Sequence, residues 1–114
     1  MEMLLLEQPA EDLESDYFDI DSLNINGNCL EIVVNYGGGC GNADFELYYS
    51  DAIIEKMPPE TNLHLILKDD DPCRSIVHKK LKYSLEPYKD VAKNSGIYLH
   101  VSGKEEPVLY YIFN

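Results

Sequence analysis

The chain has 114 residues, of which 45 % are hydrophobic, enough for one domain with a single core. It carries 21 Asp and Glu residues against 9 Lys and Arg residues, a formal net charge of −12, so its field repels nucleic acid and anionic membrane surfaces. No apolar run approaches the roughly 20 residues that a membrane-spanning helix needs, and no transmembrane segment is predicted.

The charge is distributed unevenly along the chain. All nine basic residues follow residue 55, whereas 13 of the 21 acidic residues precede residue 56. One interpretation is that the acidic half only keeps the protein soluble. The other is that Lys79, Lys80 and Lys82 face acidic groups of the first half across a sheet.

Residues 1–20 are acidic and show no hydrophobic period, and Pro9 lies among them. Such a composition is typical of a tail or linker. A short apolar run near the start is flanked by glutamates and is too short for a secretion signal, so no export signal is predicted. We therefore expect an acidic N-terminal tail or linker at residues 1–20 and a single domain at residues 21–114.

From about residue 22 the hydrophobic period becomes two, which is typical of half-buried strands. Gly27-Asn28 has the composition of a hairpin turn, and Pro58-Pro59 and residues 69–72 separate further runs. The residues predicted to face the core alternate with polar ones: Leu23, Ile25, Leu30, Ile32, Val34, Tyr36, Phe45, Leu47, Tyr49, Leu63, Leu65, Leu67, Val77, Leu81, Tyr83 and Leu85.

The C-terminal third contains the only predicted helical segment. Residues 87–95 have room for one or two helical turns, which Gly96 would end. A strand with Ile97, Leu99 and Val101 inward follows, and a turn between Gly103 and Pro107 precedes a last strand at residues 108–113.

These strands recur every 8–12 residues or so, and no crossover helices fit between them. Leu85-Glu86-Pro87 and the strand at residues 97–101 are similar to the crossing between sheets in immunoglobulin-like domains. The predicted fold is all-β: an antiparallel, immunoglobulin-like β-sandwich of seven or eight strands with one short helical turn. A small barrel is the alternative.

Three cysteines could carry chemistry. Cys29 opens a strand and is interpreted as a small, half-buried hydrophobic residue. Cys40 and Cys73 each lie in a loop after a strand, and two such loops can meet at one end of a sandwich. A Cys40–Cys73 disulfide would add roughly 3–4 kcal/mol in the chain-entropy model. Two free thiols in a reducing cytoplasm remain the alternative.

A metal site is a weaker alternative. Cys40, Cys73, His64, His78 and His100 could supply ligands, but the chain contains no Cys-x-x-Cys or His-x₃-His spacing. All three histidines occupy strand positions predicted to face outward, which favours surface side chains. We predict no metal ligands and no cofactor.

Catalysis has one candidate, the thiol of Cys40 beside Gly37-Gly38-Gly39. No Cys-His motif surrounds it. The glycines also lack the Lys-Ser/Thr pair and the helix that complete a phosphate-binding loop. We predict no catalytic residue and no enzymatic activity.

A sheet face is the remaining candidate site. Tyr48, Tyr98, His100 and Tyr110 are predicted to point outward, and exposed tyrosines on a sheet suit a protein or saccharide partner. The alternative is that the tyrosines of the last strand belong to the core.

Three segments together carry a family resemblance. They are Tyr36-Gly37-Gly38-Gly39-Cys40-x₄-Phe45-x-Leu47, then Leu63-x-Leu65-x-Leu67-x-Asp69-x-Asp71-x-Cys73, then Leu81-x-Tyr83-x-Leu85-x-Pro87. Their order resembles small β-sandwich domains of bacterial exported proteins and lipoproteins, including the C-terminal sandwich of NigD-like proteins. The resemblance covers residues from about 22 to 114.

This resemblance implies an exported location, in the cell envelope or periplasm, and with it a Cys40–Cys73 disulfide. It transfers no catalytic residues, and it is compatible with a lipid anchor outside these 114 residues. The missing signal sequence and the missing N-terminal half of larger members are departures from the family, so a cytoplasmic location stays open.

The function predicted from the sequence is that of a non-enzymatic cell-envelope or extracytoplasmic β-sandwich protein, an accessory or binding module. Two alternatives belong to other classes. One is a cytosolic thiol- or metal-dependent enzyme that uses Cys40. The other is an acidic, inhibitor-like protein that binds a basic partner.

Overall fold

The structure is a computed structural model that describes residues 2–40, 43–50, 53–70, 72–102 and 104–112. Its described residues form eight strands and one short α-helix. These are β1 (Leu4–Leu5), β2 (Asp19–Asn26), β3 (Cys29–Gly38), β4 (Ala43–Tyr49), β5 (Glu60–Asp69), β6 (Ser75–Ser84), α1 (Lys89–Asn94), β7 (Ile97–Val101) and β8 (Lys104–Tyr111), with single 3₁₀ turns at Ala10–Asp12 and Glu86–Tyr88.

The strands form two sheets. One has five strands in the order β1-β4-β5-β7-β8, and the other has three in the order β2-β3-β6. The predicted all-β, sandwich-like fold with a short helix is therefore confirmed. The segment between β6 and β7, which includes α1, passes from the smaller sheet to the larger one. The immunoglobulin-like character of the sandwich stays a prediction.

The pairing directions differ from the expected antiparallel sheets. β2/β3, β3/β6, β4/β5 and β7/β8 are antiparallel, but β1/β4 and β5/β7 are parallel. A parallel pair needs a long connection, and here the chain between β5 and β7 runs through the other sheet and α1. Hydrophobic alternation cannot distinguish the two directions, because it reports only which face of a strand is buried.

The core lies between the two sheets and is built from the alternation seen in the sequence. Leu30, Ile32 and Val34 of β3 and Leu63 of β5 are fully or almost fully buried. Two of the large tyrosines in the core keep their hydroxyl groups paired. Tyr111 Oη donates to Asn28 Oδ1 at 2.9 Å, and Tyr88 Oη donates to the Ser50 carbonyl at 3.1 Å, which avoids the cost of an unpaired buried hydroxyl.

Two strand ends differ from the prediction. β3 continues through Gly37 and Gly38, which pair with Ile76 and Ser75 of β6, so these glycines belong to a strand and not to a loop. β8 begins at Lys104 and not at residue 108. β8 is an edge strand, and Pro107 falls in the stretch where its register with β7 shifts, a position at which proline is tolerated. The predicted turn at Gly103 and the end of the last strand at Phe113 lie outside the described residues.

The N-terminal segment contacts the sandwich. Met3 is part of the buried core, and Leu4 and Leu5 pair with Tyr48 and Tyr49 of β4. Further along, the segment runs beside β5, where it supplies hydrogen-bond partners: Asp16 N donates to Leu67 O at 2.9 Å, and Leu67 N donates to Ser15 Oγ at 2.9 Å. The division into a tail at residues 1–20 and a domain at 21–114 stays a prediction.

The charge pairing across the smaller sheet follows the second interpretation of the sequence. Glu31 of β3 lies opposite Lys82 of β6, and its carboxylate is 3.3 Å from Lys80 Nζ and 3.9 Å from Lys82 Nζ. Lys79 lies opposite Val34 in the same pair of strands. No helix among the described residues is long and apolar enough to cross a membrane.

Candidate functional site

A disulfide joins Cys40, which follows β3, to Cys73, which precedes β6, and their Cα atoms are 5.7 Å apart. Each cysteine lies in a connection between the two sheets, because β3 and β6 belong to the smaller sheet and β4 and β5 to the larger one. Gly39 adopts φ +111°, a conformation that favours glycine, and leads the chain from β3 to Cys40. The bond therefore ties both crossings together at one end of the sandwich.

The disulfide affects the alternative hypothesis of a thiol-dependent enzyme that uses Cys40. In this state Cys40 has no thiol that could act as a nucleophile. The free cysteine is Cys29, which is exposed and not half-buried as expected. Within the part of the chain that the structure describes, no group of three or more His, Cys, Asp or Glu side chains is arranged to hold a metal ion.

The four residues predicted to form a binding surface lie on three strands of the larger sheet. Tyr48 lies on β4, Tyr98 and His100 on β7, and Tyr110 on β8. Their sequence neighbours Leu47, Leu99 and Leu109 are buried in the core, so alternation directs the four side chains to the outer face. We call this surface, with Tyr48, Tyr98, His100 and Tyr110, the aromatic face.

Tyr98 and Tyr110 form the centre of the aromatic face. They are cross-strand partners, and their ring centroids are 5.0 Å apart. Tyr110 Oη donates to the Ser95 carbonyl at 2.7 Å, which holds its ring over Gly96. A Cβ atom built on Gly96 would lie 2.4 Å from that hydroxyl, and the residue has φ +76°. The glycine that ends the helical segment thus also makes room for the tyrosine ring.

Polar groups surround this pair. His100 Nε2 lies 3.7 Å from Glu60 Oε1, and Glu60 also pairs with Lys56 at 3.2 Å. Tyr48 lies opposite His64 of β5. Tyr110 is exposed, whereas Tyr48, Tyr98 and His100 are half-buried. The face therefore combines partly exposed rings with groups that can donate or accept hydrogen bonds, a composition typical of recognition surfaces. The core alternative holds for Tyr111, which is buried, and not for Tyr110.

A second feature was missed by the sequence interpretation. On the outer face of the smaller sheet, a cavity of about 460 Å³ is lined by Tyr17, Asp19, Asn35, Gly37, Ile76 and His78, among others. Ile76 is apolar, yet it directly precedes the predicted core residue Val77 and lies at an outward position of β6. That mismatch is the sequence signal that could have identified the cavity.

The chain resembles known proteins in its fold but not in its sequence. No protein-family model matches it, and no curated protein matches it. Among solved structures, a NigD-like immunity protein from Bacteroides caccae ATCC 43185 has a TM-score of 0.68 at 16 % identity, covering 96 % of this chain and 58 % of that chain. A protein of unknown function DUF1344 from Bacteroides vulgatus ATCC 8482 has a TM-score of 0.61 at 14 % identity, covering 97 % and 54 %.

The chain spans little more than half the length of each of these two proteins. At such identities the likeness is one of fold and carries no residue roles across. The predicted resemblance to a NigD-like β-sandwich is thereby confirmed: this chain has the fold of a segment of a NigD-like protein.

Proposed function

We propose that the protein is a non-enzymatic module of the cell envelope or another extracytoplasmic compartment, and that it binds another protein through its aromatic face. The observation that carries this proposal is the position of Tyr48, Tyr98, His100 and Tyr110 on one outer sheet face. Tyrosine is enriched in protein interfaces because its ring is rigid and apolar while its hydroxyl can pair with polar groups.

Apolar side chains near the Tyr98–Tyr110 pair extend this surface. Val108 and Tyr110 of β8 and the following Ile112 are each exposed by more than two fifths of their surface. These three residues alternate along the chain with the buried Leu109 and Tyr111. A row of exposed apolar groups beside an aromatic pair is the arrangement expected at the centre of an interface.

The disulfide supports an extracytoplasmic location. Such bonds form and persist in oxidising compartments and are rare where glutathione and thioredoxin keep thiols reduced. Cys40 and Cys73 are bonded, while Cys29 remains a free thiol. A cytosolic thiol enzyme would need the same Cys40 as a thiolate, so the two hypotheses require opposite states of one residue.

Site-specific photo-crosslinking in intact cells tests the aromatic face. A photoreactive phenylalanine analogue replaces Tyr98 in one variant and Tyr48 in another. The control variant carries it at Asn26, an exposed residue at the end of β2 in the smaller sheet. We expect the same protein adduct from both face positions and none from the control. Equal adducts at all three positions would contradict the proposal. Adducts to polysaccharide only would replace the protein partner by a saccharide.

A second candidate function is also protein binding, but the binding is driven by charge and the partner is basic. The net charge of −12 and the fold shared with a protein described as a NigD-like immunity protein favour an acidic, inhibitor-like module that binds a basic partner. Under this hypothesis the association rate with the crosslinked partner falls steeply as salt increases. A rate that is independent of salt would contradict it.

A further inference from the structure

The cavity on the smaller sheet is formed by two rows of residues that run across the strands. In the first row, Asp19 of β2, Asn35 of β3 and His78 of β6 are register partners, and His78 Nδ1 hydrogen-bonds Asn35 Oδ1. In the second row, Gly37 of β3 pairs with Ile76 of β6, and Tyr17 lines the same cavity from the segment before β2. We call the space over Gly37, between Tyr17 and Ile76, the Gly37 groove.

Gly37 has no side chain, so the groove is open above its backbone. A Cβ atom built on Gly37 would have no heavy atom within 4 Å, so a larger residue would fit there. Glycine inside a strand weakens the strand and often marks a position where a ligand or another chain approaches closely. The backbone of Gly37 has no positive φ that would require glycine. The fold therefore does not explain the glycine, but an occupant above it would.

The walls of the groove are apolar and exposed. Tyr17 is 81 % exposed and Ile76 is 74 % exposed. Two large apolar side chains that stand on either side of a gap offer contact area to an inserted side chain. Among the described residues, Ile76 is more exposed than any other leucine, isoleucine or valine of a strand.

The charges around the groove select the kind of occupant. Asp19 contributes a carboxylate to it, and a neighbouring cavity that shares Tyr17 and Gly37 is lined by Asp16, Asp69 and Arg74. Three carboxylates therefore face one guanidinium and one imidazole. The first 55 residues, which supply two of these carboxylates, contain no Lys or Arg at all. The local field favours a cation.

Tyr17 and Asp19 are arranged to receive a flat cation. Tyr17 Oη donates to Asp19 Oδ1 at 2.9 Å, which fixes the ring beside the carboxylate. The hydrogen bond and the negative charge of Asp19 raise the pKa of Tyr17, so its ring stays neutral. A guanidinium can stack on a tyrosine ring and at the same time donate to a carboxylate in its plane. A lysine ammonium is a point charge and cannot use the ring face and the carboxylate in this way.

We propose that the Gly37 groove binds an arginine side chain of a basic partner protein, with the aliphatic stem over Gly37 between Tyr17 and Ile76 and the guanidinium on Tyr17 and Asp19. This site lies on the smaller sheet, whereas the aromatic face lies on the larger one, so either can fail without the other. It deepens the second candidate function by naming the group that the partner presents.

Titration with a minimal probe tests the groove without knowledge of the partner. The probe is Nα-acetyl-arginine methylamide, and the comparison probes are the corresponding lysine and tyrosine compounds and a methyl glycoside. Two-dimensional NMR of the ¹⁵N-labelled full chain reports backbone amide shifts. We expect saturable shifts at Gly37, Ile76 and His78 with the arginine probe. The lysine probe should bind more weakly, and the other two should not saturate.

Three variants locate the binding. Gly37→Val fills the groove at a position where a β-branched residue suits the strand, and we expect it to weaken the arginine probe by about tenfold or more. Asp19→Asn keeps an oxygen for the Tyr17 hydroxyl but removes the charge, and a loss of several-fold is expected. Ser22→Val adds the same side chain to an exposed position of β2 outside the groove and should leave binding unchanged.

Several outcomes would overturn the proposal. These are shifts that spread over acidic residues without saturation, equal binding by Gly37→Val and the parent chain, or saturation by the tyrosine or glycoside probe where the arginine probe fails. Thermal unfolding of Gly37→Val shows whether the variant is folded. If it is not, Ile76→Ser removes one wall and replaces it as the test, because Ile76 is exposed and its side chain contributes little to the core.

Discussion

At the scale of single residues, the three consecutive glycines have different roles. Gly37 is an ordinary strand residue without a side chain above it, whereas Gly39 has a positive φ and turns the chain toward Cys40. The sequence predicted one glycine loop, because a run of glycines signals backbone freedom without indicating which residue uses it. The pairing with β6 shows the difference: Gly37 pairs with a residue of β6, and Gly39 lies beyond the paired residues.

The Cys40–Cys73 pairing was foreseeable because both cysteines follow strands that alternate cleanly. The double variant Cys40→Ser/Cys73→Ser releases a loop whose ends are 33 positions apart. We expect it to lose roughly 3–4 kcal/mol of unfolding free energy, since the unfolded chain regains loop entropy. Urea denaturation of the parent and the variant measures the difference.

The matched control for this prediction is Cys29→Ser, which removes the exposed thiol and should change stability by less than about 0.5 kcal/mol. When thiols are alkylated before lysis and the added groups are counted by intact mass, we expect one reactive thiol per chain in the parent and none in Cys29→Ser. Three reactive thiols in the parent would show that the bond does not form in the cell, and would reopen the thiol-enzyme hypothesis.

At the scale of elements, the strands with alternating runs were predicted and the two-residue β1 was not. β3, β5 and β6 each have ten residues, and burial in their inward positions fixes which face points to the core. β1 has two residues and no period of its own. It is a strand because it pairs with β4, and a two-residue segment has no hydrophobic period from which this pairing could be predicted.

The smaller sheet also contains a charge cluster whose effect depends on pH. Burial opposes the charge of Glu31, but the hydrogen bond and charge of Lys80, the amide of Asn24 and the charge of Lys82 outweigh it, so the pKa of Glu31 is lowered. A carboxyl group with a lowered pKa in the folded state stabilises the fold above its unfolded pKa. That contribution disappears as pH falls through the folded value.

Glu31→Gln tests this cluster. The amide keeps the shape and the contact with Asn24 but cannot ionise. We therefore expect the stability difference between parent and variant to be constant at neutral pH and to shrink below about pH 4.5, where glutamate begins to protonate. Urea unfolding at a series of pH values gives the difference. In a Lys80→Met background the effect of Glu31→Gln should be smaller, since Lys80 supplies the leading favourable interaction. An unchanged effect would exclude that pair as the cause.

At the scale of the whole molecule, the class of fold was predictable but the pairing was not. Alternation identified inward residues of both sheets. The parallel β5/β7 pair joins strands separated by another strand and a helix. The pairing of strands that are distant in the chain depends on how the two sheets pack around one core. The hydrophobic period within a single strand does not indicate it.

The same limit applies to the candidate site. Tyr48, Tyr98, His100 and Tyr110 each have a buried leucine beside them in the chain, and this alternation is what predicted their outward positions. The Gly37 groove needs Tyr17, Gly37 and Ile76, which come from three separate segments, and only the sheet register brings Gly37 and Ile76 together. Alternation shows which face of its own strand a residue occupies, but it does not show which residues of neighbouring strands lie beside it.

The N-terminal segment provides a last test of how far the domain extends. Met3 is only 7 % exposed and belongs to the core cluster, whereas Leu5, two residues later, is 41 % exposed. If residues before 21 are a tail, Met3→Ala should not change stability. If the segment is part of the sandwich, removing a buried methionine side chain should cost about 2–3 kcal/mol of unfolding free energy, through lost burial and the cavity left behind.

Leu5→Ala is the matched control, because it shortens a far less buried side chain in the same segment. We expect it to cost less than about 1 kcal/mol. Urea denaturation of the two variants beside the parent decides the matter: equal and negligible losses would place the boundary near residue 21, and a loss confined to Met3→Ala would extend the folded domain to the N-terminal strand.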